Sequence, residues 1–449
     1  MSAAKPEGSA PITSVDQLVE HFKAGIKSPD QRRVGMEHEK FIIDRQTLRP
    51  TPYEGPKGIG RLFELLAERH GYTPYYDGEH VIAAWRRNAE GMKEALTIEP
   101  AGQFELSGAP VVTMKAAEDE LTTHLEHVRQ VCDELGLAMI GAGANGLNTL
   151  DEIGWMPKSR YNIMRRYMTE VGTMGHWMMK GTCTVQANFD YTSEADAVDM
   201  LRTGLYLSPI VSALFAHSPI WKGKPSGYMT TRCFFWTDTD NDRCGFPLFM
   251  LEDDFGFKDY VEYTLGVPMY LIERDGKVID KAGHSFRDFI KEGYQGTPAT
   301  MEDYETHLST LFPEVRMKHY IEVRGADAGP ADYMLALPAL WKGIFYDAQA
   351  RREGAAEGQA THERPHRDGG RRGAATEQQP ETAHPHHLVG QRRGTAEQEE
   401  RSPGVGVGAN LRPGPEVGRC ERPHHDATAV EADRSQRSRG MSQRHQART

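Results

Sequence analysis

No stretch of this chain is apolar over the ~18 residues needed to span a bilayer, and Met1 to Pro11 lacks the basic start and apolar core of a secretory signal. A soluble, cytoplasmic protein is the expectation from those absences. Cysteine is scarce: five occur in 449 residues, at positions 132, 183, 233, 244 and 420, with neither the even framework of a small secreted domain nor a C-x-x-C pair. That excludes a disulfide scaffold and the common zinc spacings, and reads as reduced thiols. A basic stripe is also missing before residue 348, and a net charge of -11 argues against a general nucleic-acid surface. A small anionic nucleotide could still be held locally by a divalent cation and a few arginines.

What the chain does have is carboxylates and carboxamides at alternate positions. In Gly35-Met36-Glu37-His38-Glu39-Lys40-Phe41-Ile42-Ile43-Asp44 the apolar run reads as a strand closed by a turn-prone Asp44. Glu37 and Glu39 then leave the same face, roughly 6 to 7 Å apart. Two carboxylates on one face repel, and burial raises the cost, unless a cation or a shared proton lies between them. A hard divalent cation on oxygen ligands, magnesium first, is the functional reading; a wet sheet face is the plain one. The pattern recurs three times. Gln103 and Glu105 oppose Phe104 and Leu106; Thr184, Gln186, Asn188 and Asp190 oppose Val185, Ala187, Phe189 and Tyr191; Glu322 and Arg324 oppose Ile321 and Val323. An ordinary exposed face mixes lysine, threonine and serine into its acids. Oxygen donors from four separated strands suggest one curved sheet around a metal- and phosphate-handling cavity, within a single large α+β domain.

Five segments carry a family resemblance: Gly35 to Phe41, Glu99 to Pro110, Met156 to Tyr161, Trp236 to Asp240 and Phe312 to Arg316. Together they resemble the plant and proteobacterial type of glutamate–cysteine ligase, over about residues 30 to 347. The resemblance implies a glutamine synthetase-like fold, with an antiparallel curved sheet forming the active-site cavity and helices packed outside it. It further implies ATP and Mg2+, with the γ-carboxylate of L-glutamate joined to the amine of L-cysteine through γ-glutamyl phosphate, the first step of glutathione biosynthesis. On that reading Glu37, Glu39, Glu99, Glu105, Gln186 and Glu322 hold two or three magnesium ions, Arg324 steadies the transferred phosphoryl group, and an unassigned carboxylate takes the amine proton. Arg160 and Tyr161 line the substrate pocket, with a basic solvated helix face as the alternative. Arg232 and Trp236 bind glutamate, since a planar guanidinium fork matches a carboxylate, and Arg243 is a weaker candidate. Plant members of that family carry redox-responsive disulfides; the matching positions here include Lys281 and Met334, so no such thiol switch is expected. The alternatives are a related ligase using another amine, or an inactive chain. Small-molecule substrates are expected, without nucleic acid or membrane; oligomeric state is not legible.

Around these segments the periodicity predicts helices. Ser14 to Phe22 opens with a capping-box spacing to Gln17, Gly58 and Gly60 read as a helix entry rather than a phosphate loop, and Thr113 to Leu135 ends at Gly136. Asp196 to Ala216 is helical with a kink or break expected at Pro209, while Val267 to Leu271 and Arg274 to Asp280 form a hairpin about an Asp-Gly turn. His124 and His127 lie one turn apart but lack a third ligand nearby, so surface or packing roles are preferred to a metal. After Asp347 the character changes. From 348 to 449 there is no Phe, Trp, Tyr, Ile or Lys, against roughly 17 Arg and 14 acidic residues. The expected division is therefore 1–347 as catalytic domain and 348–449 as a disordered low-complexity tail. Loss of lysine beside abundant Arg, Gly and Ala is what a frameshift near residue 349 in a GC-rich gene would give; a natural tail that binds a partner is the alternative.

Overall fold

Nine strands form one sheet in which every paired neighbour runs antiparallel. The computed structural model describes residues 10–363 apart from Ala89, all within the first of two compact units, Met1–Arg371 and Arg372–Thr449. The strands are β1 Val34–Asp44, β2 Thr73–Asp77, β3 His80–Arg87, β4 Lys93–Ile98, β5 Phe104–Ser107, β6 Leu137–Ile140, β7 Thr184–Phe189, β8 Val315–Met317 and β9 Ile321–Asp327. Their order is β8-β9-β7-β1-β5-β4-β3-β2, with β6 added along Phe41 to Asp44 of β1. The motif strand β1 is thus central, and all four segments singled out by their alternation meet in one sheet.

The helices that concern the site are α1 Asp16–Lys23, α2 Ile59–His70, α3 Met114–Leu135, α4 Arg160–Val171, α5 Glu194–Leu214, α6 Thr231–Trp236, α7 Ala331–Phe345 and α8 Ala348–Glu363. Their ends follow local chemistry. The Thr113 hydroxyl accepts from the Ala116 amide at 3.1 Å to start α3, and Gly136 at φ 71° stops it. Only a residue without Cβ can precede α2, because a Cβ on Gly58 would stand 2.2 Å from the Tyr53 carbonyl oxygen. Before α1, the Gln17 side chain accepts from the Ser14 amide at 3.0 Å, one half of the expected capping box. The Asp-Gly hairpin is present as Leu271–Arg274 and Lys277–Asp280, with Asp275 and Gly276 at φ 50° and 71°, the positive values such a turn requires. Pro209 does not break α5, which runs on to Leu214.

Helices cover the apolar face of the sheet in two patches. Phe104 and Leu106 pack with Leu62, Phe63 and Leu66 of α2 and Val128 and Val131 of α3. Val185, Ala187, Phe189 and Val323 pack with Leu201 and Leu205 of α5 and Leu337, Trp341 and Phe345 of α7. Each Val, Leu and Phe among them removes enough apolar surface to contribute roughly 1.5 to 3 kcal/mol. The same alternation turns the opposite face, and its acids, away from the helices.

The structure departs from the sequence expectation at residue 348. Instead of a disordered tail there, α8 packs on α5 and α7, and Gly358 brings it so close that a Cβ would lie 2.7 Å from Tyr206 Cβ. Arg351 supplies the polar anchor: it donates to the Phe345 carbonyl at 3.0 Å and pairs with Asp196 at 2.8 Å, on the carboxylate that also takes Arg32. Ala, Gln, Arg and Glu are good helix formers, so a segment without aromatics can still form a docked helix when small residues meet a partner surface. The rest of the expected tail, 364–449, lies outside the described residues. If α8 belongs to the fold, Arg351→Ala lowers the unfolding free energy by about 1 to 2 kcal/mol in a denaturant titration; no change would show that the helix adds nothing to stability.

Candidate active site

Three rows of side chains cross the polar face of the sheet. In the first, Glu39 of β1 stands directly opposite Glu105 of β5, which stands opposite Thr97 of β4. Thr97 donates to one Glu105 oxygen, and the Thr184 amide donates to Glu39 at 2.8 Å. In the second, Glu37 faces Gln186 of β7. In the third, Arg316 of β8 faces Glu322 of β9, which faces Asn188 of β7; Asn188 reaches back to donate to Glu37 at 2.8 Å. Glu99 follows β4 and adds its field to Glu39 and Glu105. Like charges set directly across a sheet destabilise it, so this arrangement has a cost that some partner must offset.

The carboxylates divide into two electrostatic classes. Burial, then Glu322 and Glu105, raises Glu37 from 4.5 to about 7. Burial, then Glu105 and Glu99, pushes Glu39 well above the ordinary carboxylate range, and burial with Glu99 raises Glu105. Glu322 behaves oppositely. Burial would lift it too, but Arg316, Lys318 and Arg324 outweigh burial and hold it well below the ordinary value. The polar face therefore has an acidic half around Glu37, Glu39, Glu99 and Glu105 and a basic half around Glu322.

Irregular backbone sets the junction between the halves. Val323 pairs with Ala187 and Ala326 with Val185, so Arg324 and Gly325 together oppose Gln186 in a bulge. Arg324 thereby donates to Gln186 Oε1 and, at 3.2 Å, to Glu322 Oε2. A Cβ on Gly325 would stand 2.2 Å from Glu314 Oε2, so a larger residue in the bulge would have to displace the Glu314 carboxylate.

The four expected substrate residues meet different fates. Arg232 of α6 donates to the carbonyls of Gly325 at 3.1 Å and Arg324 at 2.8 Å, so its fork grips the bulge instead of standing open. Its Nε is buried without a partner. Trp236 lies beneath that guanidinium, 5.7 Å away, with its indole nitrogen also unpartnered. Tyr161 is buried and donates to the Ile98 carbonyl at 2.7 Å. Arg160 opens α4 with a buried, unpartnered Nε. Arg243 is removed from the list: it is 0% exposed, pairs with Asp240 at 2.5 Å, donates to the carbonyls of Pro268 and Thr310, and stacks 3.7 Å from the Tyr270 ring.

Other polar residues here were not assigned roles from the sequence. Arg316 and Lys318 continue the alternation that runs into Glu322 and Arg324, a period-2 signal interrupted by a turn. Lys158 places its ammonium 5.2 Å from the Tyr161 ring centre. On the reverse face of β1, Lys40 is 1% exposed, with its nitrogen 2.6 Å from His124 Nε2 and 3.3 Å from His38 Nδ1. Burial lowers its pKa to about 7. His124 is therefore a core partner, and His127 stacks on His70 at 3.9 Å, as the packing reading of this pair expects. Among the described residues no three His, Cys, Asp or Glu side chains converge closely enough to hold an ion alone, and the four cysteines described are free.

The model of the glutamate–cysteine ligase family 2 matches residues 33–398. The chloroplastic glutamate–cysteine ligase of Nicotiana tabacum is 47% identical over 340 residues, which is 75% of this chain and 63% of that protein. That of Solanum lycopersicum is 46% identical with the same coverage, and ligase A of Oryza sativa subsp. indica is 45% identical over 343 residues, 76% of this chain and 68% of that one. The chain thus spans less than two thirds of the length of the tobacco and tomato relatives. A solved glutamate–cysteine ligase from Francisella tularensis in complex with AMP aligns at a TM-score of 0.40 and 14% identity, over 72% of this chain and 70% of that one, too loosely to bear on the site. The relatives are named as chloroplastic, which overturns the cytoplasmic expectation; that expectation rested on the lack of an apolar secretory core, a criterion blind to amphipathic organelle leaders. With four-fifths of its length matched by that family model and nearly half its aligned residues shared with named ligases, this chain belongs to glutamate–cysteine ligase family 2.

Proposed function

We propose that the chain catalyses ATP-dependent ligation of the γ-carboxylate of L-glutamate to the amine of L-cysteine, the first step of glutathione biosynthesis. The observation that carries this reading is the division of one sheet face into an acidic half and a basic half, meeting at Gln186 and Arg324. Such a face can hold a cation-bound polyphosphate and an anionic leaving group side by side.

The donor set suits a hard cation. Glu39 and Glu105 sit as a like-charged cross-strand pair, and Glu322 Oε1 and Asn188 Oδ1 are buried oxygens without hydrogen-bond donors. Magnesium is held by one or two carboxylates and keeps waters and phosphate oxygens for its other positions. Glu37, Glu39, Glu99, Glu105, Gln186 and Glu322 are the residues that would hold two or three such ions between them, Gln186 and Glu322 each with one oxygen already on Arg324. Bound there, magnesium would neutralise charge on the ATP phosphates.

The chain's own groups do the rest. Arg324, fixed by Gln186 and Glu322, aims its guanidinium at the phosphoryl group as a glutamate γ-carboxylate oxygen bonds to phosphorus and ADP leaves. The cysteine amine then attacks the acyl carbon, the carbon-oxygen bond to phosphate breaks, and the amine proton passes to a carboxylate of the site. Arg160 and Trp236, which retain unpartnered buried N–H groups, would bind the amino-acid substrate; Arg232 and Tyr161, whose polar ends are taken by backbone carbonyls, would shape the wall and brace the bulge.

The test is phosphate release from ATP by the full 449-residue chain with magnesium and glutamate, with and without cysteine. Turnover should require cysteine, fall about 100-fold or more in Glu39→Gln, and fall on the order of 1,000-fold in Arg324→Ala; turnover indifferent to cysteine would sink the assignment. A second expectation follows from the acidic half. Glu37 and Glu39 hold protons more tightly folded than unfolded, so their contribution favours the fold at acid pH and, for Glu37, is lost as pH rises from 4.5 through about 7. Bound beside Glu37 and Glu39, magnesium would take the place of those protons. It should therefore raise the melting temperature more at pH 8 than at pH 5.5, and an equal shift at both would place the ion elsewhere.

A further inference from the structure

We propose that Lys318, on the turn between β8 and β9, is a phosphate-binding residue of the site; the identity of its anion as the polyphosphate of ATP rests on the ligase reading above. Three cations, Arg316, Lys318 and Arg324, surround the single carboxylate Glu322. The other acids nearby are already engaged: Glu37 accepts a hydrogen bond from Asn188 at 2.8 Å, and Glu314 lies in the field of Arg232 as well as Arg324. The basic half thus carries more positive charge than its own carboxylate can neutralise, in a place largely shielded from water. An incoming anion resolves that imbalance.

The three cations are not equally free to meet it. Arg316 is spent, with Nε on Glu322 at 2.5 Å and a terminal nitrogen on the carbonyls of Leu311 at 2.6 Å and Ser309 at 3.3 Å. Arg324 is divided between Gln186 and Glu322. Lys318 is held most loosely, 3.8 Å from Glu322 Oε1 and 3.5 Å from the Tyr320 hydroxyl, and an ammonium has three protons to give. Its side chain is also the most open of the three, at 24% exposure against 12% for Arg324 and 6% for Arg316.

Although its tip is loose, its backbone is fixed. The Lys318 amide donates to the Tyr320 carbonyl at 2.8 Å, closing the turn. The Tyr191 hydroxyl, which donates to the Phe22 carbonyl at the end of α1 at 2.6 Å, lies 3.1 Å from the Lys318 carbonyl. His319 Nε2 sits 3.2 Å from His21 Nδ1 of α1, with ring centres 4.1 Å apart. The chain after α1 comes so close that a Cβ on Gly25 would stand 2.8 Å from His319 Cα. A lysine with a free tip on a clamped turn is built to reach a ligand while keeping its base in place.

Equilibrium binding of MgATP to the full chain, without glutamate so that nothing turns over, separates the possibilities. Lys318→Met should weaken MgATP at least tenfold at an unchanged melting temperature, and Lys318→Arg should recover most of the loss. Wild-type affinity in the methionine variant would overturn the inference alone. Equal loss in both variants would assign the effect to shape and overturn it as well. A wild-type chain that does not bind MgATP would remove the nucleotide reading and this inference with it.

Discussion

The structure depends on one arrangement: Glu39 and Glu105 face each other across neighbouring strands, both short of water, with Glu37 and Glu99 close by. In an ordinary sheet such a pair is selected against, and each acid would be exchanged for a neutral residue at a gain in stability. Its presence at the middle of a nine-stranded sheet says that the fold is held at a local disadvantage, which is tolerable because the reverse face is covered by two apolar patches. Threonine hydroxyl and backbone amide donors from Thr97 and Thr184 reduce the repulsion without removing it. The acids are left wanting protons or cations.

Against this, the β8–β9 side of the sheet is built with the opposite imbalance. Glu322 is over-supplied with cations, and the bulge at Arg324 and Gly325 turns one of them toward Gln186 at the boundary. Arg232 contributes less by reaching a ligand than by holding the two carbonyls of that bulge. Removing its fork would slacken the backbone that aims Arg324. The site is thus two charged surfaces whose relative placement is fixed by main-chain geometry.

Much of this was legible in the residues. Period-2 alternation located β1, β5, β7 and β9 and the face each acid occupies, because burial on one side forces the register. Caps and stops at Thr113, Gly136 and Asp275-Gly276 were readable for equally local reasons. Other features depend on neighbours far along the chain. Whether an arginine is free or consumed is not a property of its own sequence: Arg232 and Arg243 look alike in composition, yet one braces a bulge and the other is sealed between Asp240 and Tyr270. Lys318 sits on a turn, where the alternation through Arg316 is interrupted before it resumes at Glu322. Helix α8 escaped because a composition averaged over the whole C-terminal stretch conceals a sixteen-residue segment rich in the helix formers Ala, Gln, Arg and Glu.

The contact between His21 and His319 joins residues 298 positions apart. A growing polypeptide leaves the ribosome from its N-terminus, so α1 must wait, unpartnered on that side, until almost the whole domain has been made. One edge of strand β1 waits as well, since its partner there, β7, follows it by well over a hundred residues. Long-range antiparallel pairing of this kind is slow to close, and its hydrophobic edges are exposed meanwhile. The order of synthesis therefore delays the last wall of the cavity until the chain can fold around it, and a nascent fragment has acids but no matching cations.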